Sequence, residues 1–172
     1  MTSGRFWKAW RKPLPPKSNS TEKYPSPKDF KFSTKFRVRL YFCDSYGIIH
    51  HSNYLKILED TRVEYFRGIG WDYEEFESMG RMFLVADSYC RHLGSARRDD
   101  IITVYCRVPN YKRSSAQLEY LITPDTDDNL ILYGLITLVC VDCQTRRPQR
   151  LPDQLIESID EFESTGKKQL RF

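Results

Sequence analysis

The stretch that decides the fold runs from Tyr41 to Gly70 and reads YFCDSYGIIHHSNYLKILEDTRVEYFRGIG. From its middle onward, apolar and aromatic residues recur at i, i+3, i+4, i+7 and i+11, which is helical spacing. They are Tyr54, Ile57, Leu58, Thr61 and Tyr65. This pattern predicts a helix of about four turns with one covered face. Ser52 or Asn53 is predicted to cap its start, and Gly68 to follow its last residue.

Two candidate catalytic side chains, Asp44 and His51, stand directly before this helix, with Gly47 between them. The unpaired N–H groups at a helix start carry partial positive charge and can polarise a carbonyl oxygen. A carboxylate and an imidazole at such a place suit hydrolysis, with the backbone N–H groups of His51, Ser52 and Asn53 as donors. The alternative is an aspartate that only stabilises a turn.

A family resemblance rests on the run DSYGIIHHSNYL from Asp44 to Leu55, followed by Glu59, Arg62 and Phe66. This run resembles the signature of the 4-hydroxybenzoyl-CoA thioesterase family of hot-dog proteins, which includes the Tol–Pal-associated acyl-CoA thioesterases. The resemblance continues through ARRDDI (96–101), YGLITLVCVD (133–142) and RPQRLP (147–152). It therefore covers roughly residues 36 to 160, which is a whole domain.

The resemblance implies an α+β hot-dog fold, in which a five-stranded antiparallel sheet wraps around one long central helix, with a further helix at the C-terminal end. It implies hydrolysis of an acyl or aroyl thioester of coenzyme A, with Asp44 as base or nucleophile and His51 beside it. It also implies active sites at a dimer interface, in a homodimer or homotetramer. No metal and no cofactor are expected.

The strand pattern agrees with this fold. Strands are predicted at Phe36–Phe42, Met82–His92, Ile101–Val108, Arg113–Thr123 and Leu130–Cys143. The last of these is apolar on both faces, which predicts a helix on one side and a partner subunit on the other. A short helix or lid is expected over residues 71–80, and a final helix over residues 152–164.

Further residues are candidates for binding the substrate. Arg113, Arg147 and Arg150 offer guanidinium groups, which suit the phosphates of coenzyme A, and Tyr54 is a candidate substrate contact at the helix start. Glu59 and Arg62 are three residues apart and predict an ion pair within the helix.

The charge of the chain is unevenly distributed. The whole sequence has 27 basic and 23 acidic residues, and residues 1 to 36 hold nine of the basic and two of the acidic ones. The rest therefore has 18 basic and 21 acidic residues, which gives no support for nucleic-acid binding. Residues 1–35 are predicted to be a flexible, proline-rich tail, residues 36–164 the domain, and residues 165–172 a second tail.

The N-terminal tail interleaves Phe6, Trp7 and Trp10 with basic residues. This composition suits contact with an anionic membrane surface or an acidic partner such as acyl carrier protein, or an organelle-targeting sequence.

The cysteines, five in number, suggest no disulfide framework and favour a reducing, cytoplasmic location. An alternative to hydrolysis is a non-catalytic acyl-CoA-binding module, and a second is a thioesterase that acts on acyl carrier protein.

Overall fold

A computed structural model describes residues 24–167. Its helices and strands are β1 (Phe32–Arg37), α1 (Asn53–Gly68), α2 (Tyr73–Ser78), β2 (Arg81–His92), β3 (Ile101–Lys112), β4 (Ser115–Pro124), β5 (Leu132–Asp142) and α3 (Asp153–Thr165). The strands form one antiparallel sheet in the order β1-β3-β4-β5-β2. The predicted α+β architecture, a five-stranded sheet around one long helix, is confirmed.

Helix α1 packs closely on one face of the sheet. A Cβ atom at Gly134, in the middle of β5, would lie 3.3 Å from Leu58 Cδ1, so glycine there lets the helix approach the strand. The hydroxyls of Thr61 on α1 and Thr34 on β1 lie 3.2 Å apart and join the helix to the first strand. The covered stripe predicted from helical spacing is the buried face of α1.

The ends of α1 differ from the prediction. Ser52 occupies the N-cap position, but its side chain makes no capping hydrogen bond, and the side chain of Asn53 donates backward to the Phe42 carbonyl. Gly68 is the last helical residue rather than the one after the helix. A Cβ atom there would lie 3.2 Å from the Phe32 ring, so close packing explains this glycine. The left-handed residue that follows the helix is Gly70, with φ of 84°.

The first strand lies earlier than predicted. A first strand over Phe36–Phe42 was predicted, and this is wrong, because β1 spans Phe32–Arg37. It pairs with β3, and its first residue, Phe32, lies opposite Cys106. Residues 40–42 form a single 3-10 turn instead. Alternation of apolar and polar residues cannot distinguish a strand from a turn whose apolar side chains face solvent, and Leu40 is 66% exposed.

The outer face of the sheet, away from α1, is partly covered by the chain's own N-terminal segment. The Tyr24 ring lies 5.2 Å from that of Tyr133 on β5, and Arg107 lies 4.8 Å above the Phe30 ring. Arg107 also donates to Glu119 at 2.6 Å. This segment therefore contributes part of the cover that the apolar pattern of β5 predicted.

The remaining predicted elements lie close to their expected places, including α2 within residues 71–80 and α3 one residue after its expected start. Phe6, Trp7 and Trp10 lie outside the described residues, as does most of the predicted C-terminal tail. Across residues 24–167, no helix is long and apolar enough to span a membrane.

Candidate active site

The carbonyl of Phe42 ties the loop before α1 to the start of that helix. Its oxygen accepts a hydrogen bond from the His50 N–H at 2.9 Å and another from Asn53 Nδ2 at 3.0 Å. Asp44 is only two residues further along the chain, so the loop that carries it is tied to the start of α1. The role of Asp44 as the reactive carboxylate at this helix start stays a prediction.

Asp44 begins a tight turn that fixes its side chain. The Asp44 N–H donates to the Ile48 carbonyl at 2.9 Å, and the Gly47 N–H donates to the Asp44 carbonyl at 3.0 Å. Gly47 has a φ of 74°, a left-handed conformation that favours glycine. Asp44 Oδ1 accepts from the Tyr46 N–H at 2.8 Å. The carboxylate is thus oriented and half-buried.

A second loop, residues 93–100, forms a wall beside this turn. The Ile49 N–H donates to the Ala96 carbonyl at 2.9 Å, and Ile48 forms a bridge with Arg97. The Arg97 N–H is in turn held by Asp100 Oδ2 at 2.8 Å. Spacing along the sequence gave no sign that Arg97 lies beside the Asp44 turn, because the two are more than fifty residues apart.

All three histidines of the chain lie near the start of α1. The rings of His50 and His51 are 4.2 Å apart, and the His92 ring, at the end of β2, lies 5.3 Å from that of Tyr54. Burial lowers the pKa of His92, and the nearby His51 lowers it further. His51 itself is exposed. The His51 ring therefore lies against His50, while the Asp44 carboxylate accepts from the Tyr46 N–H.

The three predicted backbone donors are not equivalent. The Asn53 N–H donates to the His50 carbonyl at 2.9 Å, and the Ser52 N–H makes a longer hydrogen bond of 3.3 Å to His50 Nδ1. The prediction therefore fails for Asn53, whose N–H is already used inside the turn. Among the three, His51 is the residue whose N–H has no acceptor within the described part of the chain.

Tyr54 is a core residue rather than a substrate contact. Its side chain is 2% exposed, and burial raises its pKa to about 12. Its position at the first turn of α1 suggested access to the site, but the same helical spacing puts it on the buried stripe. The predicted contact with substrate is therefore not available.

The three candidate phosphate-binding arginines lie together at the other end of the sheet. The Arg113 carbonyl accepts from the Leu151 N–H at 2.8 Å, next to Arg150, and the Arg147 carbonyl accepts from the Asp142 N–H at 2.9 Å. Asp142 pairs with Arg81 at the first residue of β2. The same strand ends at His92, which lies beside the start of α1. At roughly 3.3 Å per residue, the eleven steps from Arg81 to His92 span about 36 Å. Within one subunit these arginines and Asp44 are far apart.

A narrow aromatic cleft opens between the second half of α1, helix α2 and strand β2. It has a cavity volume of about 20 Å³ and is lined by Arg62, Val63, Phe66, Trp71, Asp72, Tyr73, Phe76, Phe83 and Leu138. We call it the α1–α2 cleft. Phe76 on the predicted lid is 3% exposed and belongs to the core, whereas Tyr73 is 50% exposed. The lid thus supplies both packing and a cleft wall.

Within residues 24–167, no group of three or more metal-binding side chains is assembled.

Comparison with known proteins finds a family model, the thioesterase-like superfamily, that matches residues 38–159. The chain is 26% identical over 136 residues to the long-chain acyl-CoA thioesterase FadM of Escherichia coli, an alignment that covers 75% of this chain and 97% of that protein. All elements from α1 to β5 lie within the matched range.

Two solved structures illustrate the likeness of the fold. A thioesterase from Thermus thermophilus, complexed with coenzyme A and zinc, is 27% identical with a TM-score of 0.69, over 80% of this chain and 97% of that one. A DHNA-CoA thioesterase from Staphylococcus aureus is 25% identical with a TM-score of 0.69, over 78% and 94%. Both of these proteins with a similar fold are thioesterases, and the name of one gives its substrate as DHNA-CoA.

Proposed function

Since the chain belongs to the thioesterase-like superfamily, we propose that it hydrolyses acyl-CoA thioesters with Asp44 as the catalytic carboxylate. It is a thioester hydrolase, and the assignment of residues to the reaction is the proposal. The observation that supports this assignment is the pair of hydrogen bonds to the Phe42 carbonyl, which ties the loop that carries Asp44 to the start of α1.

The reaction requires a donor to the thioester carbonyl and a carboxylate near its carbon. The His51 N–H, at the positive end of the α1 dipole, donates to the carbonyl oxygen and stabilises the charge that develops there. Asp44 either attacks the carbonyl carbon or removes a proton from an attacking water. In both routes the C–S bond breaks and the sulfur leaves as the coenzyme A thiolate. When Asp44 attacks directly, water then cleaves the anhydride formed between Asp44 and the acyl group, which releases the acid and restores the carboxylate. When Asp44 acts as a base, the attacking water supplies the oxygen of the product acid.

The working unit in this proposal is a homodimer that pairs along β2. This strand is an edge of the sheet, and its residues Leu84 and Val85 are 39% and 51% exposed. An exposed apolar edge strand is a template for pairing with another strand. Antiparallel pairing around a two-fold axis brings the start of one β2 beside the end of the other. Arg113, Arg147 and Arg150 of one subunit then approach the Asp44 region of the other.

Such a dimer explains why the candidate residues are divided between two ends of one subunit. The arginines would meet the phosphates of coenzyme A, and the thioester would reach the Asp44 of the partner subunit. The dimer is tested by sedimentation with Val85→Lys, which puts a charge at the centre of the edge. The expected result is a monomer with little thioesterase activity, and an unchanged dimer would contradict β2 pairing.

The decisive experiment is release of free thiol from a panel of acyl-CoAs with short, medium, long and aromatic acyl groups. The wild-type chain is compared with Asp44→Asn, which keeps the shape of the side chain and removes its charge. The expected loss is about a hundredfold or more in kcat/KM, the size for a positioned general base. Asp127→Asn is the matched control, because Asp127 also accepts from a backbone N–H two residues along, at 2.8 Å.

Other outcomes would redirect the assignment. Equal activity of Asp44→Asn and wild type would remove Asp44 from the mechanism. Binding of acyl-CoA without cleavage would support a non-catalytic binding module. Cleavage of acyl groups only when they are carried on acyl carrier protein would change the carrier and keep the site.

A further inference from the structure

The outer face of the sheet, away from α1, carries a row of three large side chains. Tyr105 on β3, Leu121 on β4 and Tyr133 on β5 lie directly opposite one another in the strand register, so their side chains share one face. That face is the outer one, because the next residue on β5, Gly134, faces Leu58 of α1 and successive residues of a strand point to opposite faces. Leu121 is nevertheless 0% exposed. Its burial requires other groups above it on the outer face.

The chain's own residues 24–30, which we call the N-terminal strap, lie on this row. The Tyr24 ring packs on the Tyr133 ring with centroids 5.2 Å apart, and the Phe30 ring packs on that of Tyr105 at 5.9 Å. The strap therefore contacts the rings at both ends of the row. Phe30 is 8% exposed, and burial raises the pKa of the Tyr133 hydroxyl, as expected of side chains that are covered.

Polar contacts hold the strap on this face. Arg107 on β3 lies 4.8 Å above the Phe30 ring and donates from Nη1 to the Asp29 carbonyl at 3.1 Å. The same guanidinium pairs with Glu119 at 2.6 Å. Glu119 is 8% exposed and also accepts from the Tyr133 hydroxyl at 2.9 Å. A buried carboxylate is stabilised by such donors, so the strap and the outer face form one packed arrangement.

The surface under the strap suits a second copy of the chain. Without the strap, the row of three side chains would be an exposed apolar patch, extended by Tyr89 on β2, whose ring lies 6.5 Å from that of Tyr133. Exposed patches of this kind mark protein–protein interfaces. Arg107 and Glu119 add one positive and one negative group to the patch. In a two-fold contact between identical surfaces, the positive group of one copy can meet the negative group of the other.

The strap and a second copy exclude each other by geometry. Two sheets that pack face to face lie about 10 Å apart, with their side chains interdigitated. Each strap already places a layer of side chains, including Tyr24 and Phe30, on the outer face. The space between two such faces cannot hold both straps.

We propose that the N-terminal strap occupies the outer face of the sheet in place of a second copy of the chain, and that it holds the assembly at the dimer. Release of the strap is expected to let two dimers pack outer face to outer face as a tetramer. Of the homodimer and homotetramer that the family resemblance implies, the strap selects the dimer. The inference rests on the proposed function only for the β2-paired dimer, which is the starting unit, and its test measures mass rather than turnover.

The test is sedimentation of the full chain with Tyr24→Ser and Phe30→Ser together, which removes both rings of the strap. Trypsin cleavage after Lys28, inside the strap, is followed on the same samples and is expected to be faster in this double variant. The mass is expected to rise to twice the wild-type value as the protein concentration increases. Tyr73→Ser is the matched control, because Tyr73 is a 50% exposed aromatic residue on α2. Its mass and cleavage rate are expected to equal those of the wild type.

A further substitution identifies the surface that associates. Leu135 lies on the outer face of β5, opposite Glu119 in the register. Leu135→Glu, added to the double variant, places a second carboxylate beside Glu119 on the proposed contact surface. It is expected to return the mass to the wild-type value, because like charges on one interface repel.

The outcomes separate this inference from the proposed function. A double variant that is cleaved faster but keeps the wild-type mass would overturn the inference, as would a wild-type chain that already sediments as a tetramer. A rise in mass that Leu135→Glu does not reverse would also contradict it. Absence of turnover for every acyl-CoA would overturn the proposed function and leave the role of the strap intact.

Two further results would also decide. A wild-type monomer would overturn the β2 dimer, and doubling of that monomer in the strap variant, reversed by Leu135→Glu, would still support exclusion of a second copy by the strap. If the double variant fails to fold, Tyr24→Ser alone is used, and a partial shift to twice the mass is expected. Faster cleavage of Tyr24→Ser with an unchanged mass would contradict the inference.

Discussion

The two ends of helix α1 are built in different ways. At its start, Asp44 is held by backbone hydrogen bonds in a turn and is half-buried, and His51 is exposed. In its second half, Arg62 and Phe66 are buried among the rings of the α1–α2 cleft. The first region carries reactive groups that cost little to expose, and the second carries the packing that stabilises the fold. We therefore expect substitutions at the two ends to separate activity from stability.

The largest expected effect is on stability, at the second half of α1. Phe66→Ala removes a ring that is 7% exposed, and a buried Phe→Ala change costs about 3–5 kcal/mol in the free energy of unfolding. Denaturant unfolding measures this loss. Leu55→Ala, on the same helix but at a residue that is 42% exposed, is the control and should cost much less. Similar losses for both variants would contradict the division of the helix.

The next effect is on activity, at the start of α1. Asp44→Asn is expected to lower kcat/KM about a hundredfold, which is about 2.7 kcal/mol of transition-state stabilisation. Its free energy of unfolding should stay within about 0.5 kcal/mol of wild type, because the Asn side chain can still accept from the Tyr46 N–H. Denaturant unfolding beside the thiol assay tests both statements. A large loss of stability would show that Asp44 is chiefly a structural turn residue.

Asn53→Ala should affect both properties moderately. It removes the donor to the Phe42 carbonyl at 3.0 Å, and loss of such a hydrogen bond costs about 1 kcal/mol. Since this bond ties the Asp44 loop to α1, kcat should fall as well. Asn129→Ala is the control, because the hydrogen bond of Asn129 to Asp127 is made by its backbone N–H. A drop in stability with unchanged kcat would mean that the His50 N–H alone holds the loop.

The smallest expected effect is a shift in a histidine pKa. Burial, and then the charge of His51, hold the pKa of His92 below its usual 6.5. His51→Gln should raise the pKa of His92, as measured by NMR titration of its ring protons, and His50→Gln should raise it less. A His92 pKa that stays the same or falls in His51→Gln would contradict the proximity of the two rings. In the folded chain His92 binds a proton less readily than in the unfolded chain. Protonation therefore lowers the free energy of unfolding as the pH falls below about 6.5.

The fold was largely predictable because its strongest signals are local. Helix α1 follows from the spacing of its apolar residues, and β2 to β5 follow from apolar runs separated by turn residues. The error at β1 arose where two signals looked alike, since Leu40 and Tyr41 read as strand residues but are exposed in a 3-10 turn. The ion pair between Glu59 and Arg62 was predicted and is confirmed.

The candidate site was only partly predictable because its contacts are not local. Asp44 and the start of α1 are neighbours in the sequence, whereas Arg97 and His92 reach them only through the fold. The burial of Arg62 had a signal in the sequence, because Leu58, Arg62 and Phe66 are spaced four residues apart on one stripe. The interpretation as an ion pair within the helix set that signal aside.

The sequence by itself determined which residue types stand beside the start of α1, because helical periodicity and turn chemistry act over a few residues. The tertiary structure decided which backbone N–H groups remain available, that Tyr54 is buried, and that the arginines lie at the opposite end of β2 from Asp44. These features depend on how strands pair and how closely a helix packs on a sheet. They arise from contacts between distant parts of the chain, which local patterns do not specify.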